Sequence, residues 1–257
     1  MRIVSICPSN TEIVAYLEQT ELLIGVDNYS DFPEEVKKLP KLGPDLSIDI
    51  ERIVSLQPDL VLASLSVPGM EKNIEGLEAH NLPYIILNPN SLGEIAEDIA
   101  RVGEAIGEKK LGIEKSEQFR RAIEAYREKA LDKEERPSLY WEWWPKPIFT
   151  PGRANWLSEI SELAGAYNIF RTEKEANVKT DWDEVKKRNP EHICMVWVGV
   201  KEEKMNPELI KKRPGWSNMT AVKNEHIHVL EESLYCRPSP RLLEGLSKLT
   251  EILDELQ

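Results

Sequence analysis

The chain has 257 residues, 41% of them hydrophobic and 30% charged, and 45 acidic side chains against 33 basic ones give it a net charge of −12. That balance argues against a nucleic-acid partner, whose phosphates call for a basic face, and against docking on anionic lipid. Cys7, Cys194 and Cys236 show no CxxC spacing, so they make neither a zinc site nor a disulfide framework. At least one thiol is left free, the usual condition in a reducing compartment.

Met1-Arg2 leads straight into Ile3-Val4-Ser5-Ile6, which reads as a first strand with no charged, apolar and small-residue leader before it. Either Met1 is native and the protein is cytoplasmic, or a leader has been removed and it works outside the cytoplasm. Ser9-Asn10-Thr11-Glu12 has capping-box spacing ahead of Ile13, Val14 and Leu17. A strand follows at 22–26 and a short helix at 49–56, closed by Gln57-Pro58. The apolar run 60–65 reads as a strand of the buried parallel kind, and so does 83–87. Even extended to 67, the first of these runs is far too short to cross a bilayer. A second capping box, Ser91-Leu92-Gly93-Glu94, opens a helix carrying Ile95, Ile99, Val102 and Ile106. The alternation is that of βαβ units on a parallel sheet.

From 108 to 131 there is no proline, only Gly112 disfavours helix, and charges crowd the sparse apolar residues Leu111, Phe119, Ile123 and Tyr126. A helix over that span would be ~36 Å long, mostly solvated, and suited to joining two α/β halves. Beyond Arg136-Pro137 the pattern restarts as an echo. Asp49-Ile50-Glu51-Arg52-Ile53 returns as Asp181-Trp182-Asp183-Glu184-Val185, and at the same displacement Pro58-Asp59-Leu60-Val61 returns as Pro190-Glu191-His192-Ile193. The helix at 12–17 has a counterpart at 158–163. Self-similarity at half the chain length implies two related lobes. A last helix, 240–256, sets Leu242, Leu243, Leu246, Leu249, Ile252, Leu253 and Leu256 on one face. The expected fold is therefore α/β, with lobes at 1–107 and 133–257, a connecting helix at 108–132, and a ligand cleft between the lobes.

Open parallel sheets bind ligands beyond the carboxyl ends of their strands. The stretches expected there are Cys7-Pro8-Ser9-Asn10, Asn28-Tyr29-Ser30-Asp31 and the loops 64–69, 149–156 and 234–241. No catalytic constellation stands out. Neither GxGxxG, Walker A nor GxSxG occurs, and the histidines, His80, His192, His226 and His228, lack a completing ligand set, although His226 and His228 share one face of a strand. The least ordinary segment is Tyr140-Trp141-Glu142-Trp143-Trp144. Alternation sends Trp141 and Trp143 to one side and Tyr140, Glu142 and Trp144 to the other. Lying just ahead of the expected cleft loop at 149, the cluster reads as a wall for a large planar ligand, with core packing as the plainer alternative.

The opening Arg2-Ile3-Val4-Ser5-Ile6-Cys7-Pro8-Ser9-Asn10-Thr11-Glu12 resembles that of the class III, helical-backbone substrate-binding proteins of ABC importers. So do Gly25-Val26-Asp27-Asn28-Tyr29-Ser30-Asp31-Phe32-Pro33, the stretches 49–63 and 155–170, and Arg237-Pro238-Ser239-Pro240-Arg241. The likeness is greatest to the cobalamin branch. It implies two Rossmann-like lobes and a monomer that is not an enzyme and has no intrinsic cofactor or metal. Its cargo would be a corrinoid, delivered to permease subunits. Carried over by position, Tyr29, Trp143 and Phe149 match pocket aromatics. Ser64 and Asn177 stand where tryptophans are expected, and Cys236 where a glutamate is. Cys7 and Cys236 fall on cleft loops, where either a thiol–metal contact or an inert thiol fits. Glu71 matches a permease-docking carboxylate of the first lobe. For the second lobe the family pattern points to Asp183, and the internal echo to Glu203. Haem and ferric siderophores are alternative cargoes, although only Arg153, Arg237 and Arg241 offer positive charge. A cytosolic corrinoid-handling protein or enzyme on the same scaffold is a further alternative.

Overall fold

The computed structural model describes residues 1–67 and 69–256. Pro68, in the expected loop 64–69, and Gln257, the last residue of the expected second lobe, lie outside them. The chain divides into two compact units, one made of 1–89 with 93–120, the other of 90–92 with everything from 121 onward.

In the first unit β1 (Ile3–Ser5), β2 (Leu23–Val26), β3 (Leu60–Ser64) and β4 (Tyr84–Leu87) form one parallel sheet in the order β2-β1-β3-β4. Every residue of β3 is buried, as its unbroken apolar run requires. Between the strands lie α1 (Pro8–Tyr16), α2 (Ile50–Leu56) and α3 (Glu71–Ala79), followed by α4 (Leu92–Ala105). The capping box expected at Ser9–Glu12 does not form. Cys7 is the N-cap, Pro8 opens the helix, and Ser9 to Glu12 are buried inside the first turns. Proline at the first position explains the earlier start, because its φ suits the helix and it has no N–H to leave unsatisfied. In α2 the cap is Asp49, whose carboxylate accepts from Arg52 N at 3.0 Å.

On α4, Ile95, Ile99 and Val102 are buried, and so is Ile106 just beyond its end. The next helix, α5 (Lys109–Leu131), buries Phe119 and Ile123 and leaves most of its other side chains in solvent. Gly112, a poor helix former in the sequence, has a packing role. A Cβ on Gly103 of α4 would lie 2.4 Å from the Gly112 Cα, so the two helix backbones pass too closely for any side chain at either position. The boundary between the two units falls within α5, between Arg120 and Arg121.

The second unit repeats the topology. Its parallel sheet is built from β5 (Ser138–Glu142), β8 (Tyr167–Asn168), β10 (His192–Met195) and β11 (Ile227–Val229), ordered β8-β5-β10-β11. Counted along the chain, this is again second, first, third, fourth. Three short strands, β6 (Trp144–Pro145), β7 (Ile148–Pro151) and β9 (Asn177–Thr180), make an additional antiparallel sheet. The expected loop 149–156 is therefore a strand at its start and helix α6 (Trp156–Leu163) at its end. Alternation decides this: Ile148 and Thr150 turn inward while Phe149 turns out.

Helix α7 (Trp182–Arg188) echoes α2 in detail. Asp181 caps it by accepting from Glu184 N at 2.9 Å, and Asn189 closes it with φ 46°, as Gln57 closes α2 with φ 48°. The remaining helices are α8 (Glu208–Lys211), α9 (Thr220–Lys223), α10 (Glu232–Tyr235) and α11 (Leu242–Glu255). Helix α10 occupies the start of the expected loop 234–241. Along α11, Leu242, Leu246, Leu249 and Leu253 are buried, whereas Leu256 lies beyond its end and is exposed. Among the described residues no helix is long and apolar enough to cross a membrane.

Candidate functional site at the carboxyl edges

In the first unit the carboxyl ends of β1 and β2 meet in a buried polar chain. Thr11 donates to Ser5 Oγ at 2.8 Å and lies 2.8 Å from Ser30 Oγ, and Ser30 donates to the Asp27 carboxylate. That carboxylate also accepts the backbone N–H groups of Tyr29 (2.7 Å) and Ser30 (3.0 Å). Burial raises the Asp27 pKa, and the three hydrogen bonds oppose the rise. The result is a braced Asx-type turn that leaves Tyr29 53% exposed.

The neighbouring candidates are inward groups. Asn10 donates to Ala63 O at 2.9 Å, Ser64 donates to Ser66 Oγ at 2.9 Å, and Pro8 and Ser9 are buried in the first turn of α1. The Cys7 sulfur lies 3.3 Å from Ser9 Oγ, and burial pushes its thiol up to about 11, so it stays protonated and a poor ligand for metal. Glu71 opens α3 in solvent, its carboxylate accepting from Gly69 N at 2.7 Å.

In the second unit the aromatic cluster is divided by depth. Tyr140 packs edge-on to Trp216, and Trp141 lies 5.5 Å from the Tyr235 ring with Nε1 donating to Ser161. Trp143 is buried against Trp156, ring centres 6.0 Å apart, and its Nε1 has no hydrogen-bond partner among the described residues. Exposed aromatic surface here belongs to Trp144 (42%) and Phe149 (37%). Of the three tryptophans of the expected wall, Trp141 is core because both faces of β5 are covered, Trp143 is buried against Trp156, and Trp144 keeps an exposed face.

Asn177 is exposed where β9 begins, paired across to Pro151. Cys236 is half-buried, donates to Val196 O at 3.4 Å, and has its thiol raised well above the usual range by burial. Arg237 lies 3.5 Å from Glu232. Asp183 is exposed on α7 and paired with Lys186 at 2.6 Å; Glu203 is exposed in the 3₁₀ turn Glu202–Lys204.

Sequence reasoning passed over Glu142. It is wholly buried at the end of β5 and accepts from Tyr140, Trp197 and Arg213. The available signal was a carboxylate between two tryptophans in an otherwise apolar strand. Equally unforeseen, His192 joins His226 and His228 in one stack, with centroids 4.5 and 5.3 Å from it. Among the described residues no set of His, Cys, Asp or Glu is arranged to hold a metal ion. The stack borders a cavity of about 520 Å³ that includes Glu135, Arg136 and Glu191. Since His192 begins β10, this cavity lies at the amino edge of the sheet, away from the edge where open parallel sheets bind ligands.

Two α/β units of one repeated strand order, linked through a helix and presenting exposed aromatics at strand carboxyl ends, define a solute-binding protein of the periplasmic type. The chain belongs to the family described as periplasmic binding protein (Peripla_BP_2), whose profile matches residues 3–234. It is 31% identical over 260 residues to the uncharacterized ABC transporter substrate-binding lipoprotein YvrC of Bacillus subtilis, covering 97% of this chain and 79% of that one. To the vitamin B12-binding protein of Vibrio campbellii it is 30% identical over 251 residues, covering 97% and 88%. The structure superposes on the periplasmic heme-binding protein RhuT of Roseiflexus sp. RS-1 with a TM-score of 0.85 at 24% identity, over 98% of this chain and 97% of that one.

Proposed function

We propose that this protein captures a corrinoid of the cobalamin type outside the cytoplasm and hands it to the permease of an ABC importer, without catalysing a reaction. The observation that carries the reading is the 30% identity, over nearly its whole length, to a vitamin B12-binding protein. The exposed faces of Tyr29, Trp144 and Phe149 support it, since a corrin ring is broad, flat and apolar at its rim. Glu71 opens the helix after β3, and Glu203 lies in the first helical turn after β10. Equivalent positions in a repeated fold suit a pair of contacts to a two-subunit permease, which favours Glu203 over Asp183.

The purified protein is mixed in turn with cyanocobalamin, cobinamide and haemin, then desalted, and the visible spectrum is recorded. Retention of a corrinoid at a Kd below ~1 μM, about −8 kcal/mol, is expected. Retention of haemin alone overturns the reading. The haem alternative has its own support in Tyr29, whose exposed phenol is the side chain at this edge best suited to ligate a ferric iron.

A further inference from the structure

At the end of β5 four donors converge on one carboxylate. Glu142 Oε2 accepts from Tyr140 Oη at 2.9 Å and from Arg213 Nη1 at 2.5 Å. Its Oε1 accepts from Trp197 Nε1 at 3.0 Å and from Arg213 Nη2 at 2.7 Å. The pair is buried, with 4% of the Arg213 side chain and none of the Glu142 side chain in solvent. The guanidinium is packed 4.5 Å from the Trp216 ring centre and 5.0 Å from that of Trp182.

A buried ion pair of this kind is a poor device for stability. Removing both charges from water costs about as much as their attraction returns, and apolar replacements are often neutral or better. Apolar replacements cannot supply direction. With both carboxylate oxygens saturated, any rotation of Glu142 strands a buried donor, so a single orientation survives. That orientation places the indole of Trp197, the second residue after β10, and through it the turn 197–200, whose Val198 and Gly199 are exposed. The backbone locks the same parts together: Val196 N donates to Glu142 O and Val198 N to Trp143 O, each at 3.1 Å, while Trp143 N donates to Phe149 O at 3.0 Å.

We propose that Arg213 is a positioning residue which, acting through Glu142, fixes the turn 197–200 and the end of β5 in the arrangement that ligand binding uses. This rests on the carboxyl edge being the ligand side, as proposed above.

The test uses ¹⁵N-labelled full-length protein. The Trp197 indole N–H, identified by its absence in Trp197→Phe, is expected to be a sharp, slowly exchanging signal without ligand. In Glu142→Gln/Arg213→Met, which removes both charges and leaves neither alone, it should broaden and exchange with solvent. The Kd for cyanocobalamin should rise about tenfold. Trp197→Phe keeps the ion pair, so it serves if the double variant does not fold; it should raise the Kd by a similar factor with little change in thermal midpoint. An unaltered indole signal in the double variant overturns the proposal. So does a Kd within twofold of wild type in Trp197→Phe. Wild-type protein that binds no cyanocobalamin refutes the corrinoid reading instead, and the indole spectrum then decides the positioning by itself.

Discussion

Acidification should weaken the second unit through its histidine stack. His192 is 5% exposed, its Nδ1 lies 3.0 Å from His228 Nε2, and its ring is stacked on His226. Burial first, and then the neighbouring imidazoles, push His192 and His228 down to about 4. In the unfolded chain both return to about 6.5. Between those values the unfolded state binds protons that the folded state refuses, so stability is complete above pH 6.5 and falls as pH drops toward 4. Two such protons give a slope of at most about 2.7 kcal/mol per pH unit. Repulsion from His228 and His226 adds to the His192 depression, and repulsion from His226 to that of His228. His228 is also only partly buried and so is screened by solvent, and a loss of about 2–4 kcal/mol between pH 6.5 and 4.5 is the realistic scale.

Asp98 acts with the opposite sign. Burial pushes its carboxyl up to about 6, so the folded first unit binds a proton earlier than the unfolded chain and gains stability on mild acidification. The measurement must therefore be a difference. Urea unfolding of wild type and His228→Gln, followed by tryptophan fluorescence at pH 7, 6, 5 and 4.5, cancels Asp98. It also cancels the Glu135, Arg136 and Glu191 charges that border the stack. The variant should gain on wild type by about 1–2 kcal/mol across the range. Parallel curves would refute the reasoning.

Four further outcomes are expected. Tyr29→Ala, at an exposed position, should leave the thermal midpoint unchanged while raising the corrinoid Kd about 30-fold, the effect of an aromatic anchor worth about 2 kcal/mol. Trp143→Ala, packed against Trp156, should instead cost about 3–5 kcal/mol of stability in urea unfolding. Gly103→Ala should destabilise by about 1–3 kcal/mol or more, because the added methyl meets the backbone of Gly112, and an unchanged unfolding midpoint would contradict that close approach. Glu71→Lys should leave corrinoid affinity in solution intact and depress complex formation with the permease. The wild-type complex should weaken as salt rises past about 0.1 M, where surface charges are screened beyond about 10 Å.

Most of the architecture could be read from the sequence because the determining signals are local. The apolar run at 60–64 became a fully buried parallel strand, whereas 84–87 is parallel too but, at the sheet edge, mostly half-buried. The echo of Asp49 in Asp181 became a pair of matching N-caps, and Gln57-Pro58 and Asn189-Pro190 became matching left-handed helix ends. Local rules failed where two signals competed for the same residues. Ser9-Asn10-Thr11-Glu12 has the spacing of a cap, yet Pro8 starts the helix first. Phe149-Thr150 looked like a loop beside Pro151 and Gly152, yet it pairs on both sides in a sheet whose third strand arrives only at Asn177. No window around 149 contains that partner.

The same contrast explains the site. Tyr29 is held outward by Asp27 and Ser30, neighbours in the chain, so its exposure can be read from a short motif. The hydrogen-bonded cluster at the end of β5 is assembled from Tyr140, Glu142, Trp197 and Arg213, spread over more than seventy positions of the chain. A glutamate between tryptophans announces an unusual strand without naming the arginine that neutralises it. The stacked histidines obey the same rule. His226 and His228 reveal themselves by spacing, while His192 enters only because β10 and β11 lie side by side. The outward placement of Tyr29 is thus encoded within a single loop. The buried groups that meet at the end of β5 come together only through the tertiary fold, so no short window of sequence displays them side by side.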